Sequence, residues 1–178
     1  MSLITDDLLL KLWELAQTQP SDERASAKLW THLCSKHFFP EKDWVVSLGP
    51  RRQDSSGRRG VEFTIEYMCE GNSLAVLVIH EAEAPDTSPQ AVEGAEARAY
   101  DACLRCLELH PDWECVYALT SFGTRGRAWR CGRGDDSLTA LFGSKGLGEP
   151  DQYIEVHSPE ARLISQAVRT MRAAVPDY

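Results

Sequence analysis

The 178-residue chain lacks an apolar run long enough to cross a bilayer, any internal repeat and any low-complexity tract. A membrane-spanning helix and a repeat architecture are therefore not expected. It also lacks a start like that of a secreted protein: MSLITDDLLLKLWELA places acidic residues ahead of its apolar part, where a secretory leader carries positive charge. Six cysteines, at 34, 69, 103, 106, 115 and 131, are scattered through segments with helix or strand patterning. Without a secretory context they read as reduced core thiols rather than a disulfide framework, and the expected setting is intracellular, cytoplasm or nucleus. An excess of positive charge is missing as well. The net charge of −8 argues against holding nucleic acid by bulk electrostatics, although a local basic groove stays compatible with it.

With 43% hydrophobic residues, the chain can bury one sizeable core. The expectation is a single domain over 1–178, with residues 1–20 as an N-terminal helical extension. Leu8, Leu9, Leu12 and Leu15 recur at helical spacing over 5–18. Pro20-Ser21-Asp22 signals the start of a second helix carrying Ala25, Leu29, Trp30 and Leu33. Residues 44–48 read as a strand, and 49–60, GPRRQDSSGRRG, as the one loop of strong breaker character. In 61–68 Phe63, Ile65 and Tyr67 alternate with Glu62, Thr64 and Glu66, a strand pattern that turns at Gly71-Asn72. A long helix over 90–109, strands at 114–120 and 127–131, and a helix over 158–173 opened by Ser158-Pro159-Glu160 complete an α/β sandwich.

The stretch at 74–85, LAVLVIHEAEAP, is the most informative. Its unbroken apolar part reads as a strand buried on both faces, with its last residues leaving the sheet edge. Alternation then points Glu81 and Glu83 the same way, roughly 6 to 7 Å apart, and His80 the other way. Like charges so placed imply something positive between them, either a divalent cation held through oxygen or an arginine. Arginines are at hand in two groups, Arg51, Arg52, Arg58 and Arg59, then Arg125, Arg127, Arg130 and Arg133. Their plainer reading is solvated loop and strand-edge charge.

A carboxylate on one strand (Glu62), a pair ending the next (Glu81, Glu83) and a helix immediately afterwards resemble the PD-(D/E)XK nuclease-like (restriction endonuclease-like) superfamily. The segments KLWTHLCSKHFFP, RRGVEF, LVIHEAEAP, EARAYDACL, VYALTSFGTRGRAW and YIEVHSPEA extend the resemblance, over roughly 22–170, to a branch common in fungal genomes. The resemblance implies an α-β-β-β-α-β sandwich with a central mixed sheet flanked by helices. By the same resemblance Glu62 stands at the strand acid, Glu81 at the second acid and Glu83 where the family has its lysine. Arg98 stands where many relatives have a helix glutamine, and Glu23 is a candidate for the acid of the first core helix. An E-x-E variant is similar to some active restriction enzymes of the superfamily.

What the resemblance implies is Mg²⁺ or Mn²⁺ held by Glu62, Glu81 and Glu83, with these residues catalytic in phosphodiester hydrolysis and Arg98, Arg125 and Arg127 holding phosphate. The competing reading is a degenerate site: a pseudo-nuclease serving as an interaction module, or a fold reused as a small-molecule biosynthetic enzyme. The partner is then a protein or a small molecule rather than nucleic acid, and no membrane is expected in either case. Other signals point to packing. Cys103 and Cys106 form a C-x-x-C without a second pair or a nearby histidine. His80 reads as a buried, hydrogen-bonded imidazole. Residues 123–126, GTRG, lack the Lys-Ser or Lys-Thr of a phosphate loop and read as a hairpin connection.

Overall fold

The computed structural model describes residues 1–19, 23–53, 59–69 and 73–175. Arg58, the Pro20-Ser21-Asp22 start signal and the Gly71-Asn72 turn lie outside the described residues. The described elements form a mixed sheet covered by helices on both faces. Helix α1 (Asp7–Thr18) begins later than its periodicity suggests, because the Asp6 side chain accepts from the Leu9 N–H at 2.9 Å and caps it. Helix α2 (Glu23–His32) runs on as a π-helical turn over Leu33–Phe38.

Strands β1 (Trp44–Gln53), β2 (Arg59–Cys69) and β3 (Ser73–Glu83) form an antiparallel meander. The breaker-rich segment does not end β1 at Leu48 as expected. Leu48 pairs with Phe63 and Arg51 with Val61, so Gly49 and Pro50 together oppose Glu62 in a bulge. Proline is tolerated there because β1 is an edge strand and loses no second ladder. Strand β3 also runs further than expected. Glu81 and Glu83 do not leave the sheet; they pair with Thr120 and Phe122 of the neighbouring strand.

Helix α3 (Pro89–Leu109) crosses over from β3, with Ser88 as its N-cap and Pro89 in its first turn. It returns the chain to β4 (Cys115–Phe122), which lies parallel to β3 and turns at Gly123 into β5 (Arg125–Gly132). Gly123 has φ +57°, and its carbonyl accepts from both Ser26 Oγ (3.0 Å) and Trp30 Nε1 (2.9 Å). The turn thus supplies the left-handed position glycine allows and also anchors α2 to the sheet. Two short strands missed by the sequence reading, β6 (Thr139–Ala140) and β7 (Ile154–Glu155), both add to β5. Helix α4 (Arg162–Ala173) follows a single 3-10 turn over Pro159–Ala161.

The path through the sheet is β1-β2-β3-β4-β5-β6. On one face α1, α2 and α4 bury Leu9, Trp30, Phe63, Ile65, Ile164 and Met171. On the other, α3 buries Ile79, Ala99, Cys103, Val116 and Trp129. Cys103 and Cys106 belong to this second core, and all six cysteines are free. No described helix is long and apolar enough to cross a membrane.

Candidate functional site

Period-two alternation and register together build the site. Glu62 lies directly opposite Glu81, and Gly60 opposite Glu83. Opposed side chains on antiparallel strands sit about 5 Å apart at Cβ, so the three glutamates converge on the face covered by α3. Glu81 is 2% exposed and Glu83 5%. Glu83 fits because residue 60 is glycine: a Cβ there would stand 2.6 Å from Glu83 Oε1. Gly60 was not singled out in the sequence, where only the hairpin register would have revealed it.

Arg98, on α3, supplies the positive charge. Its Nη2 donates to Glu83 Oε1, and its Nε lies 4.0 Å from Glu81 Oε2. Glu81 is pushed up to about 8, first by burial and then by the charge of Glu62, with Arg98 pulling the other way. At neutral pH Glu81 is a proton-bearing acid beside an arginine-paired Glu83.

The residues do not fit Mg²⁺ as the resemblance implies. The guanidinium of Arg98 lies against Glu83 and faces Glu81, on the oxygens a cation would need. Among the described residues no group of three or more His, Cys, Asp or Glu side chains is arranged to hold a metal ion.

The other named residues are placed as follows. Arg127 is fully buried and faces no solvent-borne phosphate. Its Nη2 donates to the Ser144 carbonyl at 2.8 Å, its Nη1 is 3.9 Å from Glu96 Oε1, its Nη2 is 4.0 Å from Glu149 Oε2, and its guanidinium stacks 4.3 Å over the Trp129 ring. Arg125 is exposed at the turn into β5, opposite Phe122, and Glu23 opens α2 half-buried. His80 points to the opposite face, as expected. It is fully buried between Phe63 and Trp30, with its Nε2 2.8 Å from Ser121 Oγ, and burial pushes it down to about 3.

Successive register partners draw Glu62, Glu81, Thr120 and Arg127 into one row across four strands. Above the far end of that row lies a second cluster that the sequence reading missed. Glu96 accepts from Tyr153 Oη at 2.9 Å and from the Gly148 N–H at 2.7 Å, while Tyr153 Oη is 2.7 Å from Thr120 Oγ1. Glu96 carried no signal beyond a carboxylate on the apolar side of a helix, and its partners Arg127, Gly148 and Tyr153 are all far from it in the chain. Compared with known proteins, the chain matches no family model, no curated protein and no solved structure.

Proposed function

We propose that the chain is a PD-(D/E)XK-like domain in which Glu62, Glu81 and Glu83 no longer support phosphodiester hydrolysis, and that it serves as an interaction module. The observation that carries this reading is Arg98, which faces Glu83 and Glu81 together and stands where a cation would have to sit. The antiparallel hairpin, the crossover helix and the parallel strand after it are consistent with the α-β-β-β-α-β order that the resemblance implies. Loss of the family lysine at Glu83 fits the same direction, because that lysine would otherwise stabilise charge developing on phosphate.

A second reading is a Mg²⁺-dependent or Mn²⁺-dependent phosphodiesterase in which the ion displaces Arg98. It is favoured by Glu81 Oε1, which is buried without a hydrogen-bond partner among the described residues. One experiment separates the two. Purified protein is melted with and without Mg²⁺ or Mn²⁺ and incubated with mixed DNA and RNA. The proposal expects a melting temperature indifferent to either ion, no cleavage, and a Glu83→Lys variant that stays inert. A metal-dependent rise in melting temperature, with cleavage abolished by Glu81→Gln, overturns it.

A further inference from the structure

We infer that Cys103 and Cys131 form an oxidation site, at which a small hydroperoxide entering by the cavity beside Tyr100 converts the two thiols into a disulfide that ties α3 to β5. The inference goes beyond the proposed function and uses no residue of the acidic cluster.

The two thiols reach one core from different elements. Cys103 lies on the buried face of α3, and Cys131 lies near the end of β5, opposite Val116 of β4; both are fully buried. Their side chains meet in a hydrogen bond that bridges helix and sheet. Sulfurs in contact reach the roughly 2.05 Å of an S–S bond mainly by side-chain rotation. The C-x-x-C spacing points to Cys106 instead, yet the hydrogen bond of Cys103 goes to Cys131.

The same contact assigns the roles. It raises Cys103, with burial adding to the rise, and it lowers Cys131, where Arg130 helps while burial and Asp135 oppose. Cys131 is therefore the nucleophile and Cys103 the resolving thiol. The Cys131 sulfur attacks one peroxide oxygen: an S–O bond forms, the O–O bond breaks, and sulfur gives up two electrons to the peroxide. The hydroxide or alkoxide released takes the proton shed by Cys131. The Cys103 sulfur then attacks the sulfenic sulfur of Cys131, an S–S bond replaces the S–O bond, and the departing hydroxide leaves as water with the Cys103 proton. Two thiols and one hydroperoxide give one disulfide, one water and one alcohol, or two waters from hydrogen peroxide.

A buried thiol also needs an approach. A cavity of about 200 Å³ is lined by Tyr100 of α3, by the acidic Glu93 and Asp136, and by Leu138, which belongs to the same core as Cys131. The Tyr100 hydroxyl donates to the Asp135 carbonyl at 2.6 Å, and Asp135 Oδ2 accepts at 2.7 Å from the N–H of Gly132, the residue after Cys131. The cavity wall is thus pinned to the turn that follows the thiol. With water taking about 30 Å³ of liquid volume, the space admits hydrogen peroxide or a short alkyl hydroperoxide. Both are neutral, whereas the acids at the wall repel an anionic oxidant.

The test treats the folded full chain with hydrogen peroxide, quenches it with N-ethylmaleimide and maps tryptic peptides by mass without reduction. Trypsin separates the cysteines concerned: Cys103 falls in 99–105, Cys106 with Cys115 in 106–125, and Cys131 in 131–133. The expected main disulfide joins 99–105 to 131–133 with the loss of two hydrogens. A cyclic-dione trap for sulfenic acid should label Cys131 in Cys103→Ser about tenfold more than Cys103 in Cys131→Ser. Dithiobis(nitrobenzoate), bulky and anionic, should leave Cys131 unmodified in the folded chain. The oxidised chain should melt several degrees above the reduced one, and dithiothreitol should reverse the shift. A link between Cys103 and Cys106 as the main product overturns the inference. So does a link between Cys103 and Cys131 that forms only in urea, or a pair still reduced once Cys69 and Cys115 are fully oxidised. The mapping is made on the unaltered chain, so it stands whether or not the serine variants fold. Metal binding and cleavage are read in separate assays, and failure here leaves the proposed function standing.

Discussion

Two ionic clusters share one face of the sheet and solve the same problem differently. At the β2–β3 end, Arg98 faces Glu83 and Glu81, and burial beside Glu62 raises Glu81 so that it holds its proton more tightly. At the β5 end, Arg127 is fully buried and meets Glu96 and Glu149, with Tyr153 and the Gly148 N–H completing the shell of Glu96. Burial raises Glu96 as well, but hydrogen bonds and Arg127 pull it back. Buried carboxylates are thus held by hydrogen bonds where donors surround them, and by a proton where they face one another.

The largest expected effect comes from breaking the cluster without a proton to spare. Arg127→Met removes the buried cation from Glu96 and strips the stack from Trp129, and should cost about 3 to 5 kcal/mol in urea unfolding. Paired replacement of Arg127 and Glu96 by Met should recover much of this loss, since no uncompensated charge then remains. A single-variant cost under about 1 kcal/mol would show that the two clusters tolerate disruption alike.

The pH dependence of stability sharpens the comparison from the other side. Glu81 is raised from the usual 4.5 to about 8, so its contribution is fully present below about 4.5 and is lost as pH rises through about 8. His80 is lowered from 6.5 to about 3, so its contribution is fully present above about 6.5 and is lost as pH falls through about 3. Between about 4.5 and 6.5 the two slopes cancel, and stability should show a plateau there and fall on both sides, by up to roughly 1.4 kcal/mol per pH unit. Glu81→Gln should remove the alkaline fall and turn the plateau between about 4.5 and 6.5 into a continued rise with pH, leaving the limb below about 4.5 unchanged. Chemical denaturation across the range checks both limbs. An alkaline limb unchanged in Glu81→Gln would place the proton elsewhere.

The smallest effect probes the fit of Glu83. Gly60→Ala places a Cβ against Glu83 Oε1, the far end of a flexible side chain, and should cost about 1 kcal/mol. In a Glu83→Ala background that cost should vanish, a coupling that a double-mutant cycle measures.

How much of this was legible beforehand follows from the range of the forces involved. The buried strand at 74–80, the alternation at 61–68 and the helix after Ser88 are written in local periodicity, and they placed Glu62, Glu81 and Glu83 on a common face. Register is not local. The pairing of β1 with β2 carried the strand through Gly49-Pro50, where breaker residues suggested a loop, and pairing with β4 kept Glu83 inside the sheet. Arg127 illustrates the same limit. Alternation shows that its side chain leaves the strand, but not that Glu96, Ser144 and Glu149 wait there. The resemblance assigned Arg98 to phosphate, and the need for positive charge between the acids named no particular arginine; that Arg98 meets the acidic pair was not legible, since its spacing on α3 says nothing of β3.

The hairpin and crossover helix also order events in time. Every member of the acidic cluster lies within residues 60–98, so it can assemble once β2, β3 and the start of α3 meet. The Arg127 cluster draws on residues 96–153 and needs β4, β5 and the segment after them. Shorter chain closure favours the first, so the acidic cluster is expected to form ahead of the arginine cluster, which then closes the sheet behind it.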